Sequence, residues 1–252
     1  MKVSIITSCF NREKTIRDSI ESVLAQDYPD IEYIVIDGAS TDRSASIVNE
    51  YKDRLAFFIS EPDKGMYEGI NKGLQRATGD IIGLLHSDDI LYASDTISHL
   101  VKRFEETQAD LVYGNGLFVD YEHSDKVIRR WISGPYKRDK IRWGWLPLHP
   151  TVYIRRNSFK AFGYYDESFQ IAADSDFLVR YLYQNLLEVS YLNEYIVRMR
   201  MGGVSTSFDK TIQKWKEDFR MYKNHGLNPY ISLPLKILSK VPQFINAKLG
   251  KK

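Results

Sequence analysis

Val3-Ser4-Ile5-Ile6-Thr7-Ser8-Cys9 opens the chain and runs straight into Phe10-Asn11-Arg12-Glu13. The first seven residues are rich in β-branched side chains and uninterrupted, the pattern of a strand buried on both faces. Ile16, Ile20, Val23 and Leu24 then recur at helical spacing, and Asp27-Tyr28-Pro29 closes that stretch. A second strand over 31–36 ends at Asp37-Gly38, and Ser40, Thr41 and Asp42 offer caps for a short helix carrying Ile47, Val48 and Tyr51. Residues 55–59 read as a third strand, 67–76 as a helix with Gly79 as its cap, and 81–85 as a fourth strand ending at His86-Ser87-Asp88-Asp89. Strand and helix alternating through short connections imply an α/β fold, a mostly parallel sheet flanked by helices.

Working outward, the pattern changes after about residue 110. Residues 111–113, 116–121 and 127–131 look like short strands of a mixed sheet, and a polar, aromatic-rich loop covers 134–147. A strand over 151–154 and a helix over 174–183 follow. From residue 231 the chain holds five lysines, no acid, and a stripe of Leu235, Leu238, Val241 and Ile245 that Pro234 and Pro242 would interrupt.

Composition narrows the function. The formal charge of +2 over 252 residues is too mild to point to nucleic acid, and no nucleic-acid partner is expected. The single cysteine, Cys9, rules out a disulfide within the chain and fits a reducing compartment, with Cys9 as a small core residue. No signal peptide or spanning segment is visible, so a cytoplasmic location is expected.

In open α/β sheets the ligand sits beyond the carboxyl ends of the strands. Asp37, Asp88-Asp89 and Asp174 fall there or close by. Such carboxylates repel one another unless a cation or hydrogen-bond donors compensate, and hard oxygen ligands beside a diphosphate suit Mg2+ or Mn2+. Any single Asp after a strand is more often a turn former or helix cap, a reading that fits the adjacent pair Asp88-Asp89 less well. The glycine-rich turn of dinucleotide-binding folds is absent, because Ser8 to Glu13 contains no glycine, and so is a P-loop.

The motifs, in order, are the 3–11 run, Ile36-Asp37-Gly38-Ala39-Ser40-Thr41-Asp42, Glu61-Pro62-Asp63-Lys64-Gly65, Asn71-Lys72-Gly73, Ala77-Thr78-Gly79-Asp80, Ser87-Asp88-Asp89 and Ala173-Asp174-Ser175-Asp176. Through them the chain resembles the family 2 glycosyltransferases of GT-A fold over roughly residues 2–205. The resemblance implies a domain over 1–205, with a nucleotide-sugar-binding half to residue 110 and an acceptor half over 111–205, and a basic, amphipathic helical tail over 206–252. It also implies an inverting transfer from a nucleotide-diphospho-sugar, a UDP-sugar favoured, to a glycan or lipid-linked acceptor, as in bacterial surface-polysaccharide synthesis. Ser8, Phe10 and Asp37 would hold the nucleoside, Asn71 would lie near the diphosphate or donor sugar, Asp88 near the ribose, Asp89 on the metal, and Asp174 would be the general base. The family's usual acid before the base is Ala173 here, and its usual asparagine before Ser-Asp-Asp is His86.

On the acceptor side, His149 is either an active-site group or a satisfied core histidine, and Trp143 and Trp145 either stack on a sugar or form a hydrophobic lid. Tyr67, Tyr164 and Tyr165 read as packing residues. The 231–252 tail fits either an interfacial helix on an anionic membrane, on the inner face of the plasma membrane, or an ordinary cap on the domain. A catalytically silent sugar-binding module is the rival from another class; the assembled Asp37, Asp88, Asp89 and Asp174 speak against it. A sugar nucleotidyltransferase would want glycines that Ser8 to Glu13 lacks.

Overall fold

The apolar runs pair as strands of one sheet, and the alternation within them decides which layer each side chain joins. The structure is a computed structural model that describes residues 1–201 and 208–238. β1 (Val3–Cys9) lies between β2 (Ile31–Asp37) and β4 (Ile81–Leu84), parallel to both, and β3 (Phe57–Ser60) extends the parallel part beyond β2. Beyond β4 the sheet is mixed. β8 (Tyr153–Arg155) runs antiparallel to β4 and to β6 (Leu111–Val119); β9 (Val189–Arg200) is parallel to β6; β5 (Asp89–Leu91) closes the edge antiparallel to β9. β7 (Val127–Trp131) forms a hairpin-like pair with β6.

Successive residues of a strand face opposite ways, so β1 and β2 feed two cores. Val3, Ile5, Tyr33 and Val35 pack with Ile16, Ile20 and Val23 of α1 (Ile16–Leu24) and with Ile97, Leu100 and Phe104 of α4 (Thr96–Thr107). Ile6, Ile34 and Ile36 pack with Ile70 and Leu74 of α3 (Met66–Arg76), in one cluster with Phe177 and Leu178 of α7 (Ala173–Val179). The smaller helices are α2 (Ser44–Asn49), α5 (Arg138–Arg142) and α6 (Arg156–Phe162); α8 (Phe208–Asn224) and α9 (Pro229–Leu238) end the described chain. Cys9 is buried, and burial pushes its thiol up to about 12, as suits a core residue.

Several sequence expectations shift. Residues 111–113 and 116–119 are parts of one strand, β6, which stops short of the expected 121, and a 3-10 turn, His149–Thr151, replaces the start of the strand expected at 151. α2 starts only at Ser44, whose amide Asp42 accepts at 2.8 Å. Ser40 instead donates to Asp37, and the Thr41 amide donates to Asn11. The helix expected over 174–183 is α7 followed by a π-helical turn, Arg180–Gln184. Gly79 does not cap α3, which ends at Ala77. Its amide donates to Ser4 Oγ at 2.9 Å, and a Cβ there would sit 2.7 Å from the Ser4 nitrogen. α9 continues through Pro234, whereas Val241, Pro242 and Ile245 lie outside the described residues.

Gly73 sets how closely α3 lies on β1, because a Cβ there would come 2.4 Å from Ile6 Cγ2. Overpacking of this kind costs about 1–3 kcal/mol, more than the roughly 1 kcal/mol alanine gains over glycine inside a helix. Gly73→Ala should therefore lower Tm in a thermal melt. A higher Tm would mean that helix propensity wins and the α3–β1 contact is slack.

Candidate functional site

β1 and β4 end side by side, and the loops that leave them open one cavity of about 590 Å3. Ser8 and Arg12 line it from β1, and His86, Ser87 and Asp88 from β4. Residues 64–68 at the start of α3, His149, the stretch holding Glu167 to Ile171, Asp174, and Gln213 with Lys214 of α8 complete the wall.

Ser8, Asp88, Asp174 and His149 are thus brought together on one cavity. Asp88 Oδ2 lies 3.9 Å from Arg12 Nε, and its backbone carbonyl accepts from Arg200 Nη1 at 3.1 Å. Asp174 stands in the first turn of α7, its Oδ1 accepting the Ser175 amide at 2.7 Å. Asp176, two residues on, is committed elsewhere: Oδ1 meets His225 Nε2 at 2.8 Å and Oδ2 lies 3.7 Å from Arg180. That leaves Asp174 as the acid of the pair on the cavity.

Asp89 stands apart from Asp88. β5 begins at Asp89, which pairs with Met199 of β9, so its side chain turns into the protein while that of Asp88 turns out. Asp89 is 2% exposed, and its Oδ2 is buried without a hydrogen-bond partner. Burial, with the charge of Asp88 adding to it, pushes its carboxyl well above the ordinary range. Asp88, and not Asp89, therefore faces the cavity, where a ligand to a divalent ion would stand.

The other residues that the resemblance implied stand as follows. Asp37 is fully buried at the end of β2. Ser40 donates to it through its hydroxyl at 2.5 Å and its amide at 2.9 Å, and Ser60 through its hydroxyl at 2.6 Å, so Asp37 braces the turn and does not reach the cavity. Phe10 is exposed and off the wall. Asn71 is buried: it donates to the Tyr165 carbonyl and to Glu167 Oε1 at 2.8 Å and accepts the Tyr165 amide. It reaches the cavity only through Glu167. Trp145 donates to the Ser133 carbonyl at 3.1 Å and packs edge-on against Tyr113, away from the cavity.

Tyr67, read from sequence as packing, stacks on Tyr165 and also lines the cavity; burial, helped by the Asp174 charge, raises its phenol well above the usual value. Arg12, Lys64 and Lys214 were not singled out in the sequence and supply the cavity's positive charge. Arg12 and Lys64 sit inside motifs that could have pointed to them. Lys214 carries no such signal, because only the docking of α8 brings it there. Among the described residues no three His, Cys, Asp or Glu side chains converge as a metal cage. Asp88 alone still fits a divalent ion held mainly by substrate phosphates and water, the usual arrangement for Mg2+.

The family model for Glycosyl transferase family 2 matches residues 4–166. The chain belongs to that family. This glycosyltransferase is 28% identical over 221 residues to a PGL/p-HBAD biosynthesis glycosyltransferase of Mycobacterium bovis, covering 84% of this chain and 82% of that one. An uncharacterized glycosyltransferase of Mycobacterium tuberculosis is 30% identical over 184 residues, 71% of this chain and 68% of that one. Among solved structures, S. aureus TarS 1–349 in complex with UDP-GlcNAc superposes with a TM-score of 0.67 at 21% identity, over 98% of this chain and 79% of that one. The mannosyltransferase PcManGT from Pyrobaculum calidifontis, in complex with GDP-Man and Mn2+, gives 0.61 at 15% identity, over 100% and 76%. These likenesses establish the GT-A-like α/β fold. Among the described residues no helix is long and apolar enough to cross a membrane.

His149 gives the site an acid limit. Its Nε2 is 2.7 Å from the Tyr165 hydroxyl, and its ring lies 6.0 Å from that of His86. Burial pushes its imidazolium from 6.5 down to about 4, against the attraction of Asp174 and with a further push from His86. With the folded value below the unfolded one, the unfolded chain binds more protons between those limits. This group's contribution is therefore intact above about pH 6.5 and is lost on acidification toward pH 4, by up to about 3 kcal/mol. Urea unfolding across that range should show a shallower loss of stability for His149→Asn than for the parent; equal slopes would place the acid sensitivity in other groups.

Proposed function

We propose that this glycosyltransferase moves a sugar from a nucleotide-diphospho-sugar, a UDP-sugar first, to an acceptor hydroxyl with inversion, Asp174 acting as the general base. The observation that carries the reading is one cavity walled by Ser8 and Asp88 from the strand ends, Asp174 from α7, and the cations Arg12, Lys64 and Lys214. The UDP-GlcNAc and GDP-Man bound by the solved relatives support the donor class.

Asp88 would hold a divalent ion, and the Mn2+ in one relative supports Mn2+ or Mg2+ in that role. When bound, the ion supplies Lewis acidity that offsets charge on the departing diphosphate. Arg12, Lys64 and Lys214 work in the same direction, since a diphosphate brought into the cavity gains negative charge as the anomeric bond breaks. Asp174 takes the proton from the incoming hydroxyl, which attacks the anomeric carbon from the face opposite the diphosphate. One displacement inverts that centre. His149, neutral near pH 7, can orient the acceptor by hydrogen bonding without adding charge.

UDP release from a panel of nucleotide-sugars, with Mn2+ or with EDTA, tests the assignments. Asp174→Asn should bind donor normally and lose about 10²–10⁴-fold in turnover, and NMR of the product should show inversion. Asp88→Asn should lose the response to metal while Asp89→Asn keeps it; the opposite pattern would return the metal to Asp89.

The acceptor is a glycan or a lipid-linked glycan, and the C-terminus supports a membrane-surface setting. α9 exposes Tyr230, Ile231, Ile237 and Leu238, and Lys240, Lys248, Lys251 and Lys252 follow it in the sequence. Lys236 does not belong to that basic surface, because its Nζ is bonded to Asp218 at 2.9 Å within the fold. Each lysine near an anionic leaflet contributes about 1 kcal/mol, screened by salt. The full chain should co-sediment with anionic liposomes at low salt and a chain ending at Leu238 should bind less. Equal sedimentation of the two would assign the tail no membrane role.

A further inference from the structure

α8 carries a buried carboxylate aimed at the segment that delivers Asp174. Glu217 is 9% exposed in the middle of α8. Its Oε2 accepts the backbone N–H of Ile171 at 2.8 Å and of Ala172 at 2.9 Å, and its Oε1 that of Gln170 at 3.3 Å. Gln213, one turn earlier, donates to Glu217 Oε1 at 2.9 Å and to the Gln170 side chain at 2.8 Å, and itself lines the cavity. Burial works against the charge, but the hydrogen bonds from Ile171, Ala172, Gln213 and Gln170 outweigh it and hold this carboxyl below its ordinary range.

The same grip continues along α7. Asp174 faces the cavity, Ser175 Oγ accepts from Lys236 of α9 at 3.3 Å, and Asp176 binds His225, which lies just past the end of α8. Three successive residues of the base-bearing turn therefore point to the cavity, to α9 and to the end of α8. The amides of 170–172 have no helical acceptor because they precede α7, and buried N–H groups left unpaired are costly. A single carboxylate gathering all three fixes the direction in which the chain enters the helix.

We infer that Glu217 is a positioning residue for Asp174: by holding the 170–172 amides it sets how far the base reaches into the cavity. The C-terminal helices thereby complete the active site. The inference rests on the reading of Asp174 as the base. It differs from that reading in assigning the geometry of the base to a side chain over forty residues away in sequence, on an element that shares no motif with it.

The test uses the full chain, with hydrolysis of a UDP-sugar to water in Mn2+ as the assay, because water also needs a base. Misplacing a reacting group by about 1 Å can cost up to about 10²-fold. Glu217→Gln keeps one accepting oxygen and Glu217→Ala none, so kcat should fall in the order parent, Gln, Ala, reaching about 10–10²-fold for Ala. KM for the donor and UDP affinity by calorimetry should stay within about twofold, since Ser8, Arg12, Lys64 and Asp88 stand on elements that Glu217 does not bond. Leu100→Ala, in the α4 core on the face of the sheet away from α3 and α7, serves as a destabilised control and should keep its kcat per folded molecule. In an Asp174→Asn background, Glu217→Ala should cost little more. Overturning results are a kcat loss no greater than the control's, a donor KM that rises with the kcat loss, or losses that multiply in the double variant. An Asp174→Asn enzyme of full activity would instead sink the base reading, and this inference with it.

Discussion

The parallel pairing of β1 with β4 is the constraint on which the rest depends. Val3 lies opposite Ile81 and Ile6 opposite Leu84, so both strands run the same way and release their chains at the same edge. Parallel strands cannot be joined by a tight turn, and the chain between them makes crossovers through α1, α2 and α3 that cover both faces of the sheet. At the edge left open at the carboxyl ends, polar side chains can gather without breaking a core. Ser8 and Arg12 arrive there from one strand and His86 to Asp88 from the other.

That edge is crowded with charge, and its arrangement has an electrostatic logic. Asp88, Glu167 and Asp174 line the same cavity as Arg12, Lys64 and Lys214. On the proposed reading, a nucleotide-sugar would add a diphosphate to this mixture, with the cations facing the incoming charge and Asp174 meeting a neutral hydroxyl. The acids that would spoil this balance are taken out of it. Asp37 is held by two serines, Asp176 by His225 and Arg180, and Glu217 by three amides. Asp89 is turned away differently, by its place in β5 against β9.

Much of the donor half was legible because its signals are local. A strand of alternating, β-branched residues must bury both faces, and the Ser-Asp-Asp that ends β4 has to emerge at the rim whatever surrounds it. The individual acids were harder to sort, since Asp88 and Asp89 are adjacent and chemically identical. Only the pairing of Asp89 with Met199 in β9, more than a hundred residues away, turns one inward and the other outward. Asn71 and Trp145 show the same dependence: each has polar atoms that could meet a sugar, and each bonds backbone that tertiary packing brings alongside.

The sequence by itself determined the α/β alternation, the order of the strands that open the cavity, the family, and the presence of Ser8, Asp88 and Asp174 at element ends. These follow from periodicity and from short motifs whose residues act within a few positions of one another. Tertiary structure alone decided which acid faces the cavity, that Tyr67 and Lys214 join its wall, and that α8 and α9 grip the helix bearing Asp174. Those outcomes depend on contacts between segments far apart in the chain. Hydrogen bonds and buried charges are satisfied by whichever partner the folded backbone supplies, and no local pattern names that partner in advance.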